Sequence, residues 1–386
     1  MKKKILFIIS NMETGGVSKS MTSLLITIDT ERYDVSLLLI SPHGAFMDLL
    51  PSKITIITNP VLSYLAQRLP GFVNLLKSGH LILAFGHLLR LILSKIDKSL
   101  AGRLLAWLMP GIEGEYDIIV DYNGQQQLYY MVNKLKARKK VTFFHSDYAK
   151  WDYYYAADRR YFSKVDYIFT ISNECVASLK RYFPECSEKI GLMENISSPK
   201  LITEMVQKEV DMKFGNDFTL ATLGHVMYTK GIDLAIDAAK LLKNKGYLFQ
   251  WLFIGKVAEP KYIDLVKQEK LDDCIRFIGV TPNPYPYLAN ADIIVHPSRF
   301  EGRSIALDEA KILCKPIVVT NFSTVNDQFS NRINASICDM NPKCIAESIE
   351  ELINNTDLRE KYISYLSENI SDNSSEIQKL YEIFDK

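Results

Sequence analysis

Short apolar runs recur along this chain, each bounded by polar or turn-forming residues and most followed by a stretch with helical spacing. Ile5–Ile9 leads into SNMETGGVSKS and the helical set Met21, Leu24, Leu25 and Ile28; Val35–Ile40 and Ile54–Thr58 follow as strands. The same kind of run returns at Asp117–Asp121, Val141–Phe144, Asp166–Ser172 and Lys189–Met193. Strands alternating with helical periodicity predict a parallel sheet built by right-handed crossovers. ENISSPK, Glu194–Lys200, interrupts the pattern with a polar, proline-containing turn. The alternation then restarts, with strands at Phe218–Leu223, Phe249–Gly255, Arg276–Gly279, Ala291–His296, Pro316–Thr320 and Ser336–Cys338, and a helix at Ile232–Leu242. An Asn/Ser-rich stretch, 368–375, precedes a last amphipathic helix over Glu376–Phe384.

The pattern predicts an α/β protein of two Rossmann-like α/β/α domains. Residues 1–196 form the first and 197–372 the second, with 373–386 a C-terminal helix packing back toward the first. A length of 386 residues agrees, since a single core stops growing well below it. The charge is split the same way. Residues 1–200 carry 25 Lys and Arg against 18 Asp and Glu, and residues 201–386 carry 21 against 27.

Val61–Pro110 departs from the rest. Apolar stretches such as LILAFGHLLRLIL are punctuated by Arg68, Lys77, Arg90, Lys95, Lys98 and Arg103, with Asp97 the one acid, and Leu81, Leu83, Phe85, Leu88, Leu89 and Ile92 recur near helical spacing. These helices are expected to cover the first sheet for the most part. A basic, apolar helix is also a candidate for peripheral contact with an anionic membrane. The N-terminal MKKKILFII has too short an apolar run for a secretion signal and reads as a buried strand. The six cysteines contain no C-x-x-C pair, which fits a reduced cytoplasmic setting without a metal site. KLKARKK, residues 134–140, reads as an exposed basic run.

The chemistry concentrates in SRFEGRSIALDEAKILCKPIVVTN, residues 298–321. A strand, a glycine-containing loop and a helix start follow one another there. Free N–H groups in the first helical turn carry partial positive charge and suit a phosphate. Glu301 in the loop and Glu309 in the helix could accept hydrogen bonds from sugar hydroxyls. The same acids could instead be a solvated face favoured by the helix dipole, Asp308 and Glu309 above all. Gly15-Gly16 lets backbone approach a ligand, although many strand–helix turns carry glycine for conformation alone. His145 follows a strand's C-terminal end, where open α/β sheets place ligands, yet a lone histidine is more often structural. Trp151, Tyr153, Tyr154, Tyr155, Tyr161 and Phe162 could stack on sugar rings, but helix-to-sheet packing is the commoner use of such a cluster.

Taken in order, these stretches resemble glycosyltransferase family 4, retaining sugar transferases of GT-B architecture, over essentially the whole chain. Glu301 to Glu309, EGRSIALDE, resembles the family's Glu-x7-Glu motif, SNMETGGVSKS its first glycine loop, and HSD at His145 its active-site histidine. GHVMYTKG resembles the G-R-x4-K-G segment, with Lys230 matching the lysine and His225 standing where arginine is usual. Histidine at neutral pH is not a permanent two-pronged phosphate donor, so the departure bears on the diphosphate grip. The glycine-rich turn after the next strand is likewise altered, to GKVAEP.

The resemblance implies two parallel sheets facing an interdomain cleft and a bound nucleoside-diphosphate sugar, UDP favoured. It implies His145, Glu301 and Lys230 as catalytic residues. Gly15, Gly16, Gly224, His225, Lys230, Gly302, Arg303, Ser304, Ile305 and Glu309 would bind the donor, Glu309 at the ribose. No metal or other cofactor is implied. The acceptor would be a glycan or lipid-linked hydroxyl in bacterial surface polysaccharide synthesis, at the inner membrane face, and no nucleic-acid partner is expected. Two other readings keep the fold: a non-catalytic GT-B partner subunit that binds nucleotide sugar, and a nucleotide-sugar epimerase.

Overall fold

The computed structural model describes residues 2–208, 212 and 218–386. The chain divides into two compact units. The first comprises the residues before Thr14, Val17–Ile196 and Glu376–Lys386; the second comprises Ser197–Ser375 with Thr14–Gly16.

The first unit is built on seven strands: β1 (Lys3–Ile9), β2 (Tyr33–Leu39), β3 (Thr55–Thr58), β4 (Tyr116–Asp121), β5 (Ala137–Phe144), β6 (Tyr167–Thr170) and β7 (Ile190–Leu192). They lie in the order β3-β2-β1-β4-β5-β6-β7, and every pairing is parallel. Side chains alternate across the pleat of β1. Leu6 and Ile8 enter one core cluster, while Ile5, Phe7 and Ile9 enter another on the opposite face. A parallel sheet covered on both faces needs apolar residues at nearly every position, which explains the continuous run ILFII.

The terminal helix Ile377–Asp385 belongs to this unit. Ile377, Leu380, Tyr381, Ile383 and Phe384 are buried in the second cluster, at i, i+3, i+4, i+6 and i+7. Polar ties fix its position. The Glu194 N–H donates to Glu376 Oε2 at 2.7 Å, Tyr381 accepts from the Asp29 N–H at 2.7 Å, and the Tyr33 hydroxyl donates to Asp385 at 2.8 Å.

Two basic stretches differ from expectation. Residues 137–140 of KLKARKK are the first half of β5, with Ile118 registered on Lys139 and Val120 on Val141. Lys140 Nζ donates to the Met131 carbonyl at 3.0 Å, and burial lowers the pKa of this lysine. The Val61–Pro110 region folds as the helices Pro60–Ala66, Leu69–Lys77, Leu81–Leu93 and Lys98–Leu108. Arg90, counted with its basic face, turns inward instead; Nη2 donates to the Leu65 carbonyl at 2.6 Å, and burial lowers the guanidinium pKa.

The aromatic cluster after His145 is packing. Tyr161 stacks on Tyr129 with centroids 4.4 Å apart, and Phe162 meets Phe183 edge-on at 4.8 Å. At its centre Asp158 is fully buried and accepts from the Tyr129 hydroxyl at 2.5 Å and the Tyr148 hydroxyl at 2.7 Å. Burial raises its pKa to about 6, against the two tyrosine hydrogen bonds. The folded state therefore binds more protons than the unfolded chain between the ordinary carboxylate range and pH 6, and stability falls as pH rises through that window. Asp158→Asn should flatten this dependence. Between pH 4 and 7 the native protein should lose about 2 kcal/mol more than the variant, read from denaturant midpoints. Parallel curves for the two proteins would refute the assignment.

The second unit holds β8 (Phe218–Leu223), β9 (Phe249–Ile254), β10 (Ile275–Gly279), β11 (Ile293–His296), β12 (Ile317–Thr320) and β13 (Ser336–Cys338) in the parallel order β10-β9-β8-β11-β12-β13. The order reverses between β8 and β11, which form the middle of the sheet; ligands bind at such switch points, beyond the strands' carboxyl ends.

Candidate functional site

Both middle strands end in loops that carry the candidate residues. β8 runs into Gly224-His225 and the turn Tyr228–Lys230; β11 runs through Pro297 and Ser298 to Glu301 and the helix Ile305–Ile312. Gly231 closes the first turn at φ +65°, and a Cβ there would lie 1.9 Å from the Pro297 carbonyl oxygen. That contact brings the two loops together, and only glycine permits it. Arg299 locks the arrangement from the other side. It grips Asp233 through two hydrogen bonds of 2.7 and 2.6 Å, donates to the Tyr228 carbonyl at 2.7 Å, and lies 3.9 Å over the Tyr228 ring.

Glu301 is the focus. Lys230 Nζ lies 2.6 Å from its Oε1, the Ser298 hydroxyl donates to the same atom at 2.7 Å, and His296 Nε2 is 2.8 Å from it. Three partners thus converge on one carboxylate oxygen. Burial alone would raise the pKa, but Lys230 and the His296 hydrogen bond hold this carboxyl far below the usual carboxylate range. The carboxylate is ionised and fixed in direction, with Oε2 the oxygen these bonds leave over. The Thr324 hydroxyl donates to the Glu301 carbonyl at 3.1 Å and anchors the backbone beneath.

Glu309 is also buried and accepts from the buried Tyr285 hydroxyl at 2.9 Å. Asp308, one position earlier, is 1% exposed and bound to Arg303 and to Lys311, the latter at 2.9 Å. Burial works to raise the Asp308 pKa, but those two cations lower it on balance. Asp308 and Glu309 are therefore not a solvated face; the helix turns both inward. The guanidinium of Arg303 is committed to Asp308 through Nε at 3.1 Å and Nη2 at 3.2 Å.

The expected anion cradle changes in one respect. The N–H of Ser304 already donates to Gln328 Oε1 at 2.9 Å, while Gln328 Nε2 returns bonds to the Ser304 carbonyl and to Asp308. Gly302 is buried in the loop, and the Ile305 side chain is buried at the helix start. His225 is half-buried just past Gly224, which has φ +152°. The altered GKVAEP turn has its own steric demand. A Cβ on Gly255 would lie 2.2 Å from the Gly224 carbonyl oxygen, and Val257 bridges Val226.

Gly15 lies in the bend before the helix Gly16–Thr27, and both glycines are exposed. His145 sits just past β5, against Tyr122 at 4.7 Å and nearly parallel to Phe143 at 5.6 Å. Burial lowers its pKa to about 4, so the ring is neutral at physiological pH.

Sequence reasoning passed over His296, Ser298, Tyr285 and Gln328. One signal was available for His296, a polar residue ending the buried strand IIVH.

Residues 206–368 match the family of glycosyl transferases group 1. The capsular polysaccharide biosynthesis glycosyltransferase CapH of Staphylococcus aureus is 27% identical over 229 residues, 58% of this chain and 60% of that protein. Its counterpart CapM from the same organism is 27% identical over 42% of this chain and 43% of its own length. The aligned part thus spans about half of these two relatives. Among solved structures, S. aureus TarM superposes with a TM-score of 0.72 at 14% identity, covering 100% of this chain and 99% of TarM. Anabaena HepE, solved in complex with UDP-glucose, superposes with a TM-score of 0.70 at 16% identity, covering 99% of each chain. At these identities the likeness establishes the fold, which is GT-B-like. Over residues 206–368, the chain is similar to the glycosyl transferase group 1 family.

Proposed function

We propose that this protein is a retaining glycosyltransferase. It would move a hexose from a nucleoside-diphosphate sugar, UDP favoured, to a hydroxyl of a glycan or lipid-linked acceptor in bacterial surface polysaccharide synthesis. The observation that carries the reading is the buried Glu301 carboxylate, held by Lys230, His296 and Ser298 at the switch point of the second sheet. A fixed carboxylate with one oxygen to spare suits a sugar hydroxyl, and a neighbouring ammonium suits a phosphate. The relatives' roles in capsule synthesis and the UDP-glucose held by HepE support the substrate class.

As the bond from C1 to the diphosphate breaks, negative charge grows on the leaving phosphate. Lys230 and the backbone N–H groups of Gly302 and Arg303 would stabilise it, a preorganised electrostatic effect. The acceptor hydroxyl would attack on the same face, passing its proton to the departing phosphate oxygen; no protein nucleophile is required. Glu309 would accept from the ribose hydroxyls, exchanging its Tyr285 partner for the nucleotide. His145, neutral by burial, would meet the donor sugar as a hydrogen-bonding group rather than as a cation.

Incubation with a panel of UDP- and GDP-sugars should release free nucleotide from one of them. Glu301→Gln should lower the rate by roughly 10²-fold or more. Glu309→Gln should raise KM with a smaller effect on kcat, and His145→Ala tests that residue's role separately. Binding without release would instead favour a non-catalytic partner, and an isomerised nucleotide sugar an epimerase.

A further inference from the structure

The helices between Pro60 and Leu108 carry an apolar surface that the fold leaves uncovered. Ile82, Phe85, Leu89, Ile92 and Ile96 recur at three- and four-residue spacing and are 85, 63, 51, 53 and 79% exposed. They make one continuous stripe along the helix Leu81–Leu93 and just beyond. Leu69 and Val73 extend it on the preceding helix, whose Phe72 meets Phe85 edge-on at 6.2 Å. Scattered exposed apolar residues need no explanation, but a continuous stripe does.

Charge decides what covers it. Arg68, Lys77, Lys95 and Lys98 are exposed around the stripe, and Asp97 is the sole acid between residues 60 and 110. Asp97 is occupied in capping its own helix, accepting from the Leu100 N–H at 2.9 Å. A second copy of the chain laid on this face would bring like charges together. A surface of anionic headgroups over hydrocarbon would satisfy both the cations and the stripe. No helix among the described residues is long and apolar enough to cross a membrane, so the contact would lie in the interface plane.

We infer that the helix Leu81–Leu93 and its flanking cations dock this protein on an anionic lipid surface, with Ile82, Phe85, Leu89 and Ile96 entering the headgroup layer. The inference stands independently of sugar transfer, because its test reads binding alone.

Full-length protein would be sedimented with vesicles of neutral phosphatidylcholine, or of the same lipid with about 30% phosphatidylglycerol, and sized by analytical ultracentrifugation without lipid. Binding is expected to the anionic vesicles and to fall with added salt. Lys77→Glu with Lys95→Glu should weaken it roughly tenfold or more. Ile82→Gln with Ile96→Gln should weaken it as much while leaving the thermal midpoint unchanged, since both side chains are exposed. Equal binding by native protein and both variants, or no binding at all, would overturn the inference. A lipid-free dimer dispersed by Ile82→Gln with Ile96→Gln would also overturn it, by assigning the stripe to a second copy.

Discussion

Lys230→Met should be the most damaging single change to a side chain at the site. It removes the cation from a buried pair and leaves the Glu301 carboxylate, 9% exposed, with His296 and Ser298 as its partners. Breaking a buried ion pair from one side costs about 3–5 kcal/mol; the part-exposed lysine places this case near the lower end, about 3 kcal/mol. Transfer should fall by roughly 10²- to 10³-fold, because the same ammonium is the proposed stabiliser of the leaving diphosphate.

Two measurements separate these effects. Lys230→Met with Glu301→Gln should regain much of the lost stability, since the uncompensated charge is gone, yet none of the activity. The pH dependence should also change sign. In the native protein the Glu301 pKa is depressed, so its contribution is fully present above the ordinary carboxylate range and is lost only as pH falls toward the folded value. Removing Lys230 takes away the largest influence that lowers this pKa and leaves burial opposed by His296; the folded pKa should therefore rise, and the variant should be nearer to native stability at low pH than at pH 8. A deficit independent of pH would show that Lys230 acts by packing alone.

Gly231→Ala should be comparably severe, for a steric reason. Its φ of +65° puts any side chain in the left-handed region, at about 1 kcal/mol, and the new methyl would meet backbone that no rotamer change can clear. The expected total is about 3 kcal/mol or more, with Lys230 and the Pro297–Glu301 loop driven apart. Gly246→Ala provides the control. Its φ is +87°, but nothing lies within 4 Å of the added Cβ, so it should lose only about 1 kcal/mol. Equal melting midpoints for the two variants would show that conformation, not the contact with Pro297, governs Gly231.

The periodic parts of this fold were open to a sequence reading. β8 and β13 fall at their expected boundaries, and β1 begins two residues before Ile5 because Lys3 and Lys4 pair with Tyr33 and Asp34 at the sheet's polar rim. Such runs declare themselves because a strand covered on both faces tolerates few polar residues. Residues 137–140 were hidden because four residues dominated by Arg and Lys look solvated until β4 supplies their register. At the site, Glu301 and Glu309 are marked by their spacing, whereas the partners of Glu301 are assembled from β11, its loop and the turn after β8. Arg303 and Ser304 illustrate the limit. Their identity suits an anion, but Asp308 and Gln328 had engaged the guanidinium and the Ser304 N–H in ways that only the folded chain reveals.

The terminal helix has a bearing on how the protein is made. Ile377, Leu380, Tyr381, Ile383 and Phe384 complete a core whose other members all precede Ser197, so during translation that core must wait for the intervening residues 197–375 to be synthesised. At about 5–20 residues per second the delay is roughly 10–40 s, long enough for a second sheet to form while the first still shows an apolar seam to solvent. Chaperones that bind nascent chains would find their target there, in the earlier-made lobe rather than the later one.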